Sequence, residues 1–310
     1  MKPYKTTVLT FAEKCKNILA SNWQGHLNTI KSDAKGSKGS IHTSKVKYML
    51  KRGKPYVWVP ENDLHNVNAI IDERGSFAVT TPFPGPLGSL LKSMKKLPAR
   101  VALAGDVLPL QEDKAMSLAE KLEQVIRSEQ RAINEFSYVV SGVLNDSSLS
   151  CRTRSDNLQE LLGDKERYSV YKFEISSCTY IDDCGGTFEV DVEEMVTSKA
   201  DQLAPFSAKL IDGINQREVR RRALMLFCFV YMNVTVKDAL VTSIDRKGFD
   251  VLGKVPGPVS KDGVGHYQWK EFRFMFKEEA NNVETFCRQL VEMEEEALQE
   301  VSSYSGLKIK

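Results

Sequence analysis

The sequence predicts an α+β protein: an N-terminal antiparallel β-barrel with flanking helices, then an α+β domain built on a three-stranded antiparallel sheet. Three observations predict it. About six strand-like runs with few long helices precede residue 200, which is how a closed or nearly closed antiparallel barrel reads. A polar stretch at 197–205, ending in Pro205, interrupts that pattern. Beyond it, two helical segments lead into a strand hairpin, a third alternating run and a closing helix. The domains are accordingly expected at 9–200 and 201–310.

Taken in order, Thr10 and Glu13 have the spacing of a capping box, in which each side chain satisfies the other's free backbone amide. Phe11, Cys15, Ile18 and Leu19 then fall on one helical face. A short strand at 26–30, a Gly/Ser/Lys loop at 32–39 and an extended segment at 41–50 read as a hairpin. Lys51-Arg52-Gly53 turns the chain into the strand PYVWV, and LHNVNAII is a short helix feeding the strand SFAVT. The prolines at 82–88 lack donors and fix φ, which excludes regular structure there, and a short basic helix (LKSMKK) follows. Residues 99–110 alternate, with Val101, Leu103, Gly105 and Val107 facing one way. A helix is expected over 112–140 on the stripe Leu118, Leu122, Val125 and Ile126, and 143–165 is polar enough to be a surface insertion. Residues 167–181 are a strand, Asp182 to Gly186 a turn, and TFEVDV its return.

In the second half, Phe206, Leu210, Ile211 and Ile214 mark a helix and 218–232 another. DALVTSI, the turn at 245–248 and FDVLGKV form a hairpin. In 266–276 the aromatic parity changes from Tyr267 and Trp269 to Phe272, Phe274 and Phe276, which predicts a β-bulge near Lys270-Glu271. A last helix at 278–300 should turn Val283, Phe286, Leu290, Met293 and Leu298 inward.

Composition excludes several functions. Hydrophobic residues at 42% and charged residues at 27% are ordinary for a globular chain, and a net charge of +2 gives no basic excess for nucleic acid. The longest apolar run, 223–232, is too short to span a bilayer. The lysine-rich stretch 31–54 and the acidic run Glu292, Glu294, Glu295 and Glu296 read as solvated faces. The cysteines show no C-x-x-C spacing and suit buried free thiols in a reducing compartment; no signal peptide stands before the first helix. Gly248 to Lys254 matches most of a phosphate-loop pattern, but Val255 follows where a hydroxyl is needed and the interior reads as strand. The sequons at Asn145 and Asn233 matter only in a secreted chain. With histidines at 26, 42, 65 and 266 alone, a multi-histidine metal site would need long-range assembly, and no metal is expected. His65 opens the short helix, whose free amides suit a phosphate, and Lys45 and Lys47 project from one face of the preceding strand. These three are candidate ligands of a phosphomonoester; the alternative is a capping or surface histidine beside solvated lysines.

The strand pair KVKYML and KPYVWV, the segment LHNVNAIIDERGSFAV and the strand ARVALAGDVLPL together resemble the FMN-binding split barrel of the pyridoxamine 5′-phosphate oxidase superfamily. DCGGTFEVDVEEM, SAKLIDGIN and DALVTSIDRKGFDV extend the likeness to the branch of haem-utilisation proteins and the plant glutamyl-tRNA reductase-binding protein. The resemblance implies a split β-barrel, a homodimer with its cofactor at the dimer interface, and FMN held by Lys45, Lys47 and His65 in a flavin-dependent oxidoreductase. It also supplies an alternative: a non-catalytic chloroplast protein, its transit peptide removed, that binds haem or an enzyme of tetrapyrrole synthesis. Departures qualify both. Leu64 and His65 stand where the oxidase has Arg and Lys, and Lys45 where it has a strand Arg. Asn215-Gln216-Arg217-Glu218 replaces the branch's Asn-Ala-Asp-His, and no histidine follows His266, which disfavours haem breakdown on a C-terminal histidine ligand.

Overall fold

The computed structural model describes residues 9–33, 36–134, 140–142, 151–163, 166–259 and 265–305. Two compact units divide the chain, one of Met1–Pro82, Leu91–Ile133 and Arg152–Pro205, the other of Phe83–Leu90, Asn134–Cys151 and Phe206–Lys310.

The first unit begins with helix α1 (Phe11–Ser21), started by the capping box: the Thr10 hydroxyl accepts from the Glu13 amide and the Glu13 carboxylate from the Thr10 amide at 2.9 Å. Strands β1 (Gln24–Asp33), β2 (Gly36–Lys51) and β3 (Lys54–Pro60) follow. The β1–β2 pairing reaches Asp33↔Gly36, so most of the segment expected as a loop is strand. Arg52 (φ 51°) and Gly53 (φ 82°) make the two-residue turn into β3; paired left-handed residues match the twist of a hairpin. Helix α2 (His65–Ile71) and strand β4 (Arg74–Thr80) come next. Helix α3 (Pro86–Ser93), whose residues up to Leu90 are assigned to the second unit, starts inside the proline-rich stretch because proline suits a first helical turn, where no amide is required. Strand β5 (Arg100–Pro109), helix α4 (Glu112–Asn134), helix α5 (Arg154–Leu158), strands β6 (Tyr168–Ile181) and β7 (Thr187–Val190) and helix α6 (Val192–Thr197) complete the unit.

The strand order is β3-β2-β1-β4-β5-β6-β7, and β3 also pairs with β6, which closes six antiparallel strands into a barrel with β7 on its edge. Alternation decides what lies inside. Leu27, Tyr48, Val57, Phe77, Leu103 and Phe173 are fully buried there, each contributing about 1.5–3 kcal/mol by leaving water. A second cluster, Met49, Trp58, Leu118, Leu122, Ile126 and Leu158, packs α4 and α5 on the outer face of β2 and β3. The polar stretch 151–163 is therefore no loose insertion; residues 143–150 and 164–165 lie outside the described residues. Its helix has its own capping box, Thr153 with Asp156, and Arg154 is buried.

Lys16 on α1 is also buried, its ammonium donating to the Val196 carbonyl at 3.0 Å and the Gly53 carbonyl at 3.5 Å. Burial lowers its pKa to about 8, against an opposing pull from Cys178. Between that value and the ordinary lysine range the unfolded chain holds a proton that the folded chain does not, so stability rises with pH there. Urea midpoints measured from pH 8 to 10.5 should rise for the wild type relative to Lys16→Met, in which this contribution is absent.

The second unit holds helices α7 (Ser207–Gln216) and α8 (Glu218–Met232), strands β8 (Ala239–Asp245), β9 (Gly248–Val259) and β10 (Gly265–Met275), and helix α9 (Val283–Ser305). The sheet order is β10-β9-β8, and Phe227, Phe249, Phe274 and Phe286 are buried in its core. Gly248 to Lys254 is β9, not a phosphate loop. The expected bulge at Lys270-Glu271 is absent: pairing runs unbroken from Tyr267↔Pro256 to Met275↔Gly248, and the irregularity lies between Gly265 and Tyr267. Parity changes because Tyr267 and Trp269 belong to the outer face. Lys237 lies 4.8 Å over the Tyr267 ring and Lys254 5.7 Å over the Trp269 ring, contacts that stabilise aromatics outside a core by about 0.5–1 kcal/mol. In α9, Val283, Phe286 and Leu290 are buried as expected, whereas Leu298 is exposed and Ala297 is buried beside it. Among the described residues no helix is long and apolar enough to cross a membrane.

Candidate functional site

The β1–β2 hairpin presents chemistry on both of its faces. On the inner side, where α2 begins, His42, Asp63 and His65 meet, each offering a ligand atom within 4.8 Å of the others. His42 Nε2 lies 2.9 Å from Asp63 Oδ1, and Ser44 Oγ donates to Asp63 Oδ2 at 3.0 Å. Asp63 Oδ1 also accepts the His65 amide at 2.9 Å, which caps α2 from two residues before it. The His65 ring is fully buried; its Nδ1 is 2.7 Å from Thr29 Oγ1, while its Nε2 has no hydrogen-bond partner. An unmatched buried polar atom costs about 1–3 kcal/mol. Asn68 fixes the Thr29 hydroxyl, donating to it at 2.9 Å, and takes the Ser32 amide at 3.1 Å on its own oxygen.

Electrostatics follow the packing. Burial holds the His65 imidazole down to about 4; Asp63 opposes that and His42 adds to it, so the ring is neutral near pH 7. Burial works against the Asp63 carboxylate, but the His65 amide, the His42 ring and the Ser44 hydroxyl together keep its pKa below the usual range.

The outer face is different. Two cross-strand rows run over five strands of the barrel: Lys45-His26-Ala78-Ala102-Thr179 and Thr43-Asn28-Ser76-Ala104-Ser177. None of these residues is buried, and all but the Lys45, His26 and Asn28 side chains are small. Thr43 donates to Asn28 Oδ1 at 2.8 Å and Asn28 Nδ2 to Ser76 Oγ at 2.9 Å, which ties three strands across the surface. The result is a shallow polar platform with an imidazole and an ammonium side by side at one edge. Neither the His26 ring nor the Lys45 ammonium has a partner among the described residues.

The three phosphate candidates are distributed over these two faces. Lys45 and Lys47 point outward; Lys45 is exposed, and Lys47 donates to Glu160 at 2.9 Å. His65 points inward and is shut off from solvent. The structure does not bring the three side chains to one ligand. The period of two puts Lys45 and Lys47 on one face, but that this face is the outer one, and that His65 is buried where α2 packs on β1, the local sequence does not state. His26 and the small residues of β4 and β5 were missed, although alanine and serine alternate with large apolar residues in SFAVT and ARVALAGD.

Barrel and platform together define a closed antiparallel β-barrel protein with two rows of mostly small side chains on its outer face. No sequence model of a known family matches the chain, and no curated protein matches it. Solved structures do. A haem-binding protein from Mycobacterium smegmatis matches over 95% of this chain and 100% of its own, with a TM-score of 0.56 and 19% identity. Campylobacter jejuni ChuZ matches over 60% of this chain and 62% of its own (TM-score 0.38, 10% identity). A Clostridium acetobutylicum protein related to general stress protein 26, of the pyridoxinephosphate oxidase family, matches over 60% and 96% (TM-score 0.35, 10% identity). At 19% identity the likeness to the M. smegmatis protein is one of fold: a six-stranded closed antiparallel barrel and a separate three-stranded antiparallel sheet.

Proposed function

We propose that the chain is a haem-binding split-barrel protein rather than a flavin-dependent oxidase, and that the planar group lies on the outer platform. The observation that carries this reading is the exposed His26 ring beside the exposed Lys45 ammonium, at the edge of a surface of small side chains. Small residues let a flat macrocycle approach the sheet, an uncommitted imidazole suits an iron, and an ammonium suits a propionate. When bound, haem would supply iron redox chemistry that no side chain here has. FMN fits less well. Its phosphate needs several cationic or amide donors at one point, yet His65 is buried and Lys47 already faces Glu160, which leaves Lys45 alone. The likeness to the M. smegmatis haem-binding protein along nearly the whole chain supports the choice.

The same reading includes a homodimer. Leu64, Val67, Ile70 and Ile71 expose an apolar face on the short helix α2, with Ile41 exposed on β2, and a second copy of the chain is the occupant proposed for them.

Haemin titrated into the purified apo-protein should give a red-shifted Soret band, at one haem per chain and a mass of two chains by light scattering. His26→Ala should weaken binding about tenfold or more and move the band, a tenfold change being about 1.4 kcal/mol. Lys45→Ala should weaken it several-fold without moving the band. Absence of a Soret change in the wild type, or purification of a yellow protein that releases FMN on heating, would replace haem with no cofactor or with flavin.

A further inference from the structure

We infer that His42, Asp63 and His65 form a binding site for one divalent first-row transition cation, distinct from the platform on the opposite face of the hairpin. Two imidazoles and one carboxylate gather within 4.8 Å although the residues come from β2, the loop after β3 and the start of α2. Bond lengths of about 2.0–2.2 Å to nitrogen and oxygen put neighbouring ligands about 3–4 Å apart, so the cluster needs only a small contraction around an ion.

The orphaned nitrogen of His65 is the independent sign. Asn68 has its oxygen committed to the Ser32 amide and hydroxyl, so its amide group is the donor to Thr29 Oγ1. Thr29 Oγ1 therefore already accepts one hydrogen bond. If it also accepts the proton of His65 Nδ1, Nε2 is left with a bare lone pair in a buried position beside the His42 ring, whose centroid is 4.5 Å away. A neutral imidazole whose far nitrogen is held by an oxygen, with its near nitrogen unmatched, is the arrangement metal-binding histidines show. The alternative tautomer would bury an unmatched N–H instead.

The remaining ligands are prepared in the same way. The Ser44 hydroxyl holds Asp63 Oδ2, leaving Oδ1 on the His42 ring and the His65 backbone amide. His42 Nε2 and Asp63 Oδ1 are hydrogen-bonded at 2.9 Å, a contact that an ion held by both would replace. His42 and Asp63 are partly exposed, at 21% and 17% of their side-chain surface, which gives an ion a way in, while His65 forms the closed back of the site. Nitrogen-rich ligation with one carboxylate favours zinc, cobalt, iron or nickel over calcium or magnesium. Three protein ligands leave a coordination position open.

The test uses the tag-free full-length chain, stripped with chelator and titrated with Co²⁺ alone, followed by visible absorption and calorimetry. One cobalt per chain with absorption bands of low coordination number is expected. His42→Ala and Asp63→Asn should each lose about 100-fold or more in affinity, and Thr29→Val, which contacts no ion, about 10–100-fold. Far-UV circular dichroism checks that each variant is folded. His42 and Asp63 are preferred to His65 for substitution because they are not in the core. A folded wild type that takes up no cobalt, or takes it up as well after His42→Ala, overturns the site. Haemin binding does not enter either readout, so the failure of one assignment leaves the other standing.

Discussion

Arg154→Ala should lower the stability of the chain by about 3–5 kcal/mol, measured by urea denaturation near neutral pH. Arg154 is 7% exposed and Glu129 is 9% exposed, and their side chains form an ion pair between α5 and α4. The guanidinium also donates to the Asn22 carbonyl at 2.8 Å, just before β1. Burial pushes the Glu129 carboxyl upward, with the Arg154 charge and hydrogen bond opposing it. Removing the cation takes away that opposition and leaves a carboxylate in a place from which water is excluded. Its pKa then rises further. In the variant the folded chain keeps a proton that the unfolded chain has released, so stability should fall as pH rises above the ordinary glutamate range. The double variant Arg154→Met with Glu129→Leu removes both charges and should recover most of the loss. A loss under about 1 kcal/mol for Arg154→Ala would mean that solvent reaches the pair, as it does for surface ion pairs.

The same pair shows where sequence reading stopped. The capping box at Thr10, the turn at Arg52-Gly53 and the stripe Val101, Leu103, Gly105 and Val107 are local patterns, and each has its expected structure. Residues 151–163 are polar, so periodicity gave no reason to fold them. They are ordered by a charge on α4 that lies 25 positions away, which composition cannot register. The candidate site divides along the same line. That Lys45 and Lys47 share a face was legible from the strand period, whereas which face it is, and the meeting of His42 with His65, depend on barrel closure and on α2 returning over β1, which are tertiary events. The platform depends on five strands being in register, and register belongs to the closed barrel rather than to any one strand.

Gly105→Ala should cost about 3 kcal/mol and weaken haemin binding as well. A β-carbon at Gly105 would lie 1.9 Å from the Glu174 carbonyl oxygen, a backbone atom on the neighbouring strand that no rotamer change can move aside. The close approach belongs to a bulge: β5 pairs Ala104 with Ser177 and Gly105 with Ile175, so Ser176 is an extra residue on β6. The consequence is visible along β6, where Tyr171, Phe173 and Ile175 are buried at odd positions and Cys178 and Tyr180 at even ones. The parity argument made for β10 thus describes β6, where both apolar sets face the barrel core. The bulge also turns Ser177 and Thr179 outward to finish the two platform rows. Forcing β5 and β6 apart at Gly105 strains the barrel closure and tilts that end of the platform together. Gly163→Ala, whose β-carbon would come no nearer than 3.7 Å to its neighbour, is the control and should change stability by no more than about 0.5 kcal/mol. Equal urea midpoints for the two variants would show that the β5–β6 bulge tolerates a side chain and that the platform does not depend on it.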